Sequence, residues 1–571
     1  MTPTPTSDRL RRARRALAAL AAGALLSALP ACTGSAAPTT VPTAGSATSP
    51  RALAACASGS PYTLRVLASS ELSDMTPILS QVARATGVTV RQTPIGSLAG
   101  AQQVIDGTAD GKYDAVWFAS DAYLDLWPGA LARLNGTTEI MASPVVVGVR
   151  SSVARALGWD DGRVTWAQIA RAAARHSFTF GMTDPADSNS GLSALVAVAT
   201  AAVGKGAALE TAEIPAAEPE LSALFHAQVM TAPTSGPLTR EFGRLLDSDS
   251  GTLPDGLIDY ENELLTLQAS APENDRLTLV YPSDGVLEAT YPLSILASAS
   301  AAAKSAYQRL AACLTSQGIQ EEIMRQTNRR PIGGSPALTE ALAAEHPFVL
   351  PFPSAPSTVD DLITAYYGHL RTAGRTVYVL DTSGSMRGAR LAALKQALLA
   401  LCGVDTSLSS TLSTFRAGEE ITFLPFSNAP LRPATFNLPP PGPPSGDQAV
   451  LATMRAYIDD LAVHGHTAIY DALVAAYRLM ASQNAADPGR ISSIVLLTDG
   501  ENTHGRTLSQ FISWYHALPP GAPPVYAIAF GQADLPELQE VASTTGGTAY
   551  DATGQPVSDL VTIFQEIRGY Q

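Results

Sequence analysis

The chain is short of positive charge, of lysine and of long apolar runs, and each shortage narrows what it can be. It carries 37 Lys and Arg against 51 Asp and Glu, a formal net charge of −14. A nucleic-acid partner needs a basic face to neutralise phosphates, so no nucleic acid is expected. Only Lys112, Lys205, Lys304 and Lys395 are lysines, and the other basic residues are arginines. With abundant Ala, Gly and Pro, that bias is one of GC-rich bacterial coding sequence and says nothing about chemistry. No stretch reaches the roughly 18 continuous apolar residues that a transmembrane helix requires. What is present is ample hydrophobic content, 46%, which allows large cores and argues against wholesale disorder. A length of 571 residues predicts three or four units of ordinary domain size, too much for one core.

At the start, Arg9, Arg11, Arg12, Arg14 and Arg15 precede an apolar run of small residues and leucines over 16–28. The run has the length of a signal h-region and is too short to span a bilayer. It ends in Leu29-Pro30-Ala31-Cys32, which resembles the lipobox of bacterial lipoproteins, Pro30 departing from the small or aliphatic residue usual there. The resemblance implies a signal peptide over 1–32 cut before Cys32, and acylation of that thiol. The chain would then sit lipid-anchored on the extracellular face of the cell membrane, held stably by two or three acyl chains. The alternative is an ordinary secretory signal in which Cys32 is incidental. Arg11-Arg12 lacks the surroundings of a twin-arginine export signal. The Ser/Thr/Ala/Pro/Gly-rich composition that follows has no hydrophobic period, so 33–58 reads as a flexible tether. Cysteine use suits an oxidising exterior: Cys56 and Cys313, at opposite ends of the next domain, can pair and staple its termini. Cys402 closes an apolar helical run and reads as a buried free thiol. Other pairings among these three stay open.

Over 59–346 strand and helix alternate. Strands are expected at 62–68, 88–93 and 114–119, with a helix ending at 85 and another over 98–105. Further strands fall near 145–149, 178–182 and 277–281. Alternation at this spacing predicts an α/β fold with a mostly parallel sheet covered by helices. Asp184-Pro185-Ala186-Asp187-Ser188-Asn189-Ser190-Gly191 precedes a helix over 192–203. That run, Tyr281-Pro282-Ser283-Asp284-Gly285, Tyr291-Pro292 and Ser69-Ser70 resemble segments of type II extracellular solute-binding proteins, in order and spacing, across about 60–345. The resemblance implies two α/β lobes closing on a small solute or anion. Ser69, Ser70, Ser120, Ser188 and Ser190 are the ligand-binding candidates, because hydroxyls and free N–H groups at a helix start attract anions. The same residues are also good N-caps that need no ligand. Arg329 and Arg330 follow a helix with no predicted partner.

Residues 347–374 read as a proline-rich linker with a helix, spaced by Leu362, Ile363, Tyr366 and Leu370. From 375 to 571 the α/β pattern returns. Strands are expected at 377–380, 421–426, 491–497, 524–530 and near 549–550, with helices between them and a proline-rich loop at 438–444. Asp381-Thr382-Ser383-Gly384-Ser385-Met386 follows the first strand directly, Gly465-His466-Thr467 precedes a helix, and Thr498-Asp499-Gly500 closes a later strand. These resemble the Asp-x-Ser-x-Ser signature and the second and third loops of von Willebrand factor A domains. The resemblance implies a Rossmann-like, doubly wound domain whose metal-ion-dependent adhesion site is Asp381, Ser383, Ser385, Thr467 and Asp499. All five offer oxygen, which hard cations prefer. Loops at the carboxyl ends of strands share one crevice in such a sheet. With two carboxylates the ion stays under-neutralised, and in the family a partner protein's acidic side chain completes it. Mg²⁺ suits a small ligand set plus waters, with Mn²⁺ or Ca²⁺ as alternatives.

A lone Asp-x-Ser-x-Ser can be a polar turn, but three such loops at successive strand ends form a constellation. His464, His466 and His504 fall nearby. No nucleophile, base and orienter are legible together, so catalysis is not expected. The expectation is a surface lipoprotein that recognises a protein through a divalent cation and carries a solute-binding-like domain. The alternative is the receptor of an ABC-type transporter, for an oxyanion for instance, with the A domain as a docking accessory.

Overall fold

The computed structural model describes residues 52–160, 163–246, 253–271, 276–403, 414–439, 447–519, 521–553 and 557–570. The signal segment, Cys32, the tether up to residue 51 and residues 440–444 of the proline-rich loop lie outside the described residues.

The middle domain runs through β1 (Tyr62–Ser69), β2 (Val88–Ile95), β3 (Ala115–Trp117), β4 (Leu134–Glu139), β5 (Met141–Arg150), β6 (Phe180–Thr183), β7 (Gln228–Ala232), β8 (Gly256–Tyr260), β9 (Leu277–Val280), β10 (Glu288–Ala289), β11 (Pro292–Leu296) and β12 (Arg330–Pro331). They form two sheets, one ordered β2-β1-β3-β11-β4 and the other β10-β5-β8-β6-β7, with β9 and β12 also pairing β5. β1 is parallel to β2 and β3, and β6 to β7 and β8. β11 and β5, however, run antiparallel to their neighbours. The expected mostly parallel sheet therefore holds only in part. The chain leaves the first lobe between β4 and β5 and returns between β10 and β11, so the returning strand enters its sheet from the opposite end.

Local sequence explains the elements. β1 buries Leu64, Val66, Leu67 and Ala68. The helix Thr76–Thr86 has Pro77 in its first turn and closes on Gly87, whose φ of 74° suits a left-handed C-cap. It turns Ile78, Leu79 and Val82 inward, each buried side chain of this kind contributing about 1.5–3 kcal/mol. Cys56 and Cys313 form a disulfide with Cα atoms 4.6 Å apart, tying the segment ahead of β1 to the helix Ala301–Leu314. Cys402 is free and buried.

The segment read as a linker does more than connect. Its helix Pro356–Ala365 and the following turn Tyr366–Leu370 bury Val359, Leu362, Ile363, Tyr366, Tyr367 and Leu370 in the middle domain's own core. The apolar spacing was right, but it marks a core helix of the second lobe, where Tyr366 meets Phe225 edge-on at 5.3 Å.

The last domain has one sheet, ordered β15-β14-β13-β16-β17-β18, from β13 (Gly374–Asp381), β14 (Glu420–Phe426), β15 (Ala434–Asn437), β16 (Ile491–Thr498), β17 (Val525–Phe530) and β18 (Ala549–Ala552). All neighbours are parallel except the edge strand β15, which is short and half exposed and leaves little sequence signal. Alternate residues of β13 serve opposite faces: Tyr378 and Leu380 join one core, Val377 and Val379 the other. The strand order turns back at β13 and β16, which places the crevice of a doubly wound sheet at their carboxyl ends. Among the described residues no helix is long and apolar enough to cross a membrane.

Candidate functional site

Asp381 is the last residue of β13 and Asp499 follows β16, so both carboxylates arrive at that crevice. Both are fully buried, whereas Ser385 is exposed at the mouth. Asp381 accepts from the backbone N–H of Ser383 at 2.8 Å and from the Thr498 hydroxyl at 2.6 Å. The Ser383 and Ser385 hydroxyls are 2.9 Å apart, and Ser385 donates to Asp499 at 2.7 Å. The Thr467 hydroxyl lies close by: a Cβ at Gly500 would stand 3.5 Å from Ser385 Oγ and 3.9 Å from Thr467 Oγ1. Backbone hydrogen bonds hold the three loops in register, Gly384 to Gly465 at 3.0 Å and Thr503 to Thr467 at 2.9 Å.

The structure thus brings Asp381, Ser383, Ser385, Thr467 and Asp499 together. Burial, and secondarily the Asp499 charge, push the Asp381 carboxyl up from its ordinary value. Two buried, mutually repelling carboxylates behind three hydroxyls are a donor set that a small hard cation fits. One residue was missed: Arg390, on the helix Ala389–Leu401, donates to Asp499 at 2.5 Å and partly neutralises it. Its signal was a lone arginine five positions after Ser385, too weak to read alone. His466 and His504 stack with ring centroids 4.5 Å apart at the exposed rim.

The serines of the middle domain divide differently. Ser69 bonds Ser97 at 2.6 Å and accepts from Ala119 N–H at 2.9 Å, so it ties strands together. Ser120 accepts from Ala122 N–H at 3.1 Å, a local turn. Neither Ser69 nor Ser188 caps the helix it precedes. Ser188 meets Ser190 at 3.2 Å, Ser190 meets Ser235 at 3.1 Å, and Ser235 donates to Asp259 at 2.6 Å. Ser70 Oγ is buried with no hydrogen-bond partner.

These serines end in a cluster with no local sequence pattern. From the first lobe come Glu71 and Asp74, on the turn Ser70–Met75. The second lobe supplies Asp259 and Tyr260 at the end of β8, and Asn262 and Glu263 on the helix Glu261–Ser270. Tyr291 lies where the chain crosses between lobes, with φ of 45°, a conformation costly for an aromatic residue. Arg329 is fully buried, pairs with Asp74, comes within 3.9 Å of Glu263 and lies over the Tyr291 ring at 4.7 Å. Arg330 is held by both oxygens of Glu261 at 2.7 Å. Burial pushes Glu71 up to about 7, Asp259 up to about 6 and Glu263 up to about 8. A separate cavity of about 480 Å³ lies between β7 and the last domain, with Arg240, Arg244 and Arg490 on its wall, away from both clusters.

The last domain also reaches into the loop that leads to Ser188. Arg416 lies over the Tyr367 ring at 3.7 Å, with Nη2 3.5 Å from Asp184.

Comparison with known proteins agrees with this division. The family model described as bacterial extracellular solute-binding protein matches residues 64–326, and that of the von Willebrand factor type A domain matches residues 376–501. Inter-alpha-trypsin inhibitor heavy chain H4 of Sus scrofa is 28% identical over 187 residues, which are 30% of this chain and 17% of that protein. The chain therefore spans under a fifth of that relative's length. Among solved structures, the periplasmic binding protein AfuA of Actinobacillus pleuropneumoniae, with fructose-6-phosphate bound, is 12% identical with a TM-score of 0.42, covering 54% of this chain and 98% of that one. The ferric binding protein of Campylobacter jejuni is 11% identical with a TM-score of 0.39, covering 53% and 96%. A von Willebrand factor type A protein of Catenulispora acidiphila is 19% identical with a TM-score of 0.27, covering 35% and 42%. The chain carries a bacterial solute-binding domain followed by a von Willebrand factor A domain.

Proposed function

We propose that this is a cell-surface lipoprotein, acylated at Cys32, whose A domain recognises a protein through one divalent cation. Asp381, Ser383, Ser385, Thr467 and Asp499 would hold the ion, Mg²⁺ by preference and Mn²⁺ or Ca²⁺ otherwise. When bound, the ion supplies a Lewis-acidic position for an acidic side chain of the partner. The observation that carries this reading is the meeting of five oxygen-bearing side chains from three loops, carboxylates buried and Ser385 open to solvent. The chain's own residues prepare the site: Thr498 and the Ser383 N–H fix Asp381, and Arg390 balances Asp499. No catalytic step is part of the proposal.

The middle domain would bind a small solute between its lobes. Its contact with the A domain through Arg416 and Asp184 gives a route by which cleft occupancy biases recognition. The test is capture of extracellular proteins by the full chain, with Mg²⁺ and with chelator. Retention that needs Mg²⁺ and vanishes in Asp381→Ala supports the reading, and retention indifferent to both sinks it. Cys32→Ser should release the chain from membranes, and persistent anchoring would refute acylation there. A second reading, a receptor passing its solute to a membrane permease, draws on the buried carboxylates between the lobes. It predicts tight solute binding with no metal-dependent protein capture.

A further inference from the structure

We propose that the cleft between the lobes takes a small organic cation bearing ammonium or guanidinium N–H donors, held by Glu71 of one lobe and Asp259, Asn262 and Glu263 of the other. The proposal rests on the solute-binding reading and gives that site a ligand class.

Four carboxylates, Glu71, Asp74, Asp259 and Glu263, lie at the lobe junction with the Arg329 guanidinium, while the neighbouring Arg330 is taken by Glu261. Arg329 pairs with Asp74 and lies near Glu263. The acceptors it leaves are the telling feature. Glu71 Oε1, Asp259 Oδ2 and Asn262 Oδ1 are all buried with no hydrogen-bond partner, on residues exposed by only 8%, 0% and 1%. A buried acceptor without a donor costs about 1–3 kcal/mol, and more when charged, so three together mark missing donors. Buried water can satisfy an acceptor, but it carries no charge to answer the acidic excess.

An oxyanion fits the same surface poorly. Ser188, Ser190 and Ser235 form a hydroxyl chain that ends by donating to Asp259. Arg329 keeps one unpartnered N–H, at Nε, against the three bare acceptors. A metal ion is also a poor match: among the described residues no group of three His, Cys, Asp or Glu side chains is placed to hold one. A ligand with several spaced N–H donors suits acceptors spread over two lobes. The aromatic wall suits it as well, for Tyr291 already faces one guanidinium at 4.7 Å and Tyr260 lies 5.9 Å from it. Tyr291 carries its strained backbone at the crossing between lobes, where closure on a ligand would be felt.

The charge balance suggests how the site rests and fills. Burial raises Glu71, Asp259 and Glu263 towards neutrality, with Asp74 and Asp259 adding to the rise at Glu71 and Glu263 and Arg329 opposing it. These carboxyls are thus partly protonated near neutral pH, and an arriving cation displaces protons.

The test is calorimetric titration of the full chain in mild detergent and EDTA, which silences the A domain, with putrescine and with agmatine as probes. Sulfate, phosphate and glucose serve as controls. We expect at least one probe to bind at one site per chain. Affinity should fall by about tenfold or more in Glu71→Gln and in Asp259→Asn, and protons should be released, read as a buffer-dependent heat. If a variant fails to fold, thermal unfolding of the unaltered chain decides: the cation must raise Tm where sodium sulfate at equal ionic strength does not. Binding of sulfate, phosphate or glucose with both cations silent overturns the cation class and leaves the solute-binding reading intact. A folded chain that binds none of the five overturns both.

Discussion

The two sites use acidic side chains in opposite ways. In the A domain both carboxylates are answered: Asp381 by Thr498 and a backbone N–H, Asp499 by Ser385 and Arg390. Between the lobes of the middle domain, carboxylates outnumber their partners and leave bare oxygens in the interior. The first site has its carboxylates already hydrogen-bonded and is open at Ser385. The second is closed over its charges and becomes balanced only by protons or by a cation brought from outside. Metal binding should therefore change the A domain's stability modestly, whereas cleft occupancy should change the middle domain's stability strongly.

The largest effect expected on that contrast is at Arg329. Arg329→Met removes the fully buried guanidinium that pairs with Asp74 and lies near Glu263, and should cost about 3–5 kcal/mol, read by denaturant unfolding. A loss under about 1 kcal/mol would mean the carboxylates are already neutral and the contrast is wrong. Glu71→Gln should act in the other direction. By deleting an unpartnered buried charge it should stabilise the ligand-free chain by roughly 1–3 kcal/mol at mildly alkaline pH, and destabilisation there would contradict the account. Arg390→Ala sharpens the comparison from the other site. With Asp499 freed from its guanidinium, Mg²⁺ affinity should rise by about three- to tenfold, and unchanged affinity would show that Arg390 does not compete with the ion.

The pH profile tests the same contrast without a substitution. Glu71, Asp259 and Glu263 have folded-state values raised to about 7, 6 and 8, above the ordinary carboxylate range near 4. The folded chain then binds more protons than the unfolded chain between about pH 4 and pH 8, so their contribution is full below that window and is lost as pH rises through it. Tm in EDTA should fall from about pH 5 to about pH 8, and Glu71→Gln should flatten the slope. A Tm that rises across the window would contradict it.

How much of this was legible in sequence follows the same contrast. The five residues of the A-domain site sit in three short loops, each next to a strand or helix end, so local pattern carries them. Arg390 escaped because one arginine on a helix says nothing until Asp499 is placed beside it. The cleft was not legible in its chemistry. Glu71, Asp259, Glu263 and Arg329 lie far apart in the chain, and the crossings between lobes, β4 to β5, β10 to β11 and back to β5 at β12, bring them together. The serines drew attention instead because helix starts are easy to see. Of those, Ser69 bonds Ser97 and Ala119, Ser120 closes a local turn, Ser188 and Ser190 lead through Ser235 to Asp259, and Ser70 keeps a bare hydroxyl. The helix Pro356–Ala365 shows a similar limit: amphipathic spacing reveals an apolar face, but not which domain it packs against.

The central claim is the A-domain metal site, and its most direct measurement is calorimetric titration of the full chain with Mg²⁺, beside a double variant carrying Asp381→Ala and Ser383→Ala. The account predicts saturable binding of one ion per chain, abolished in a double variant that keeps the unaltered chain's circular dichroism. Binding unchanged in that variant, or no binding of Mg²⁺, Mn²⁺ or Ca²⁺ at millimolar concentration, would contradict it.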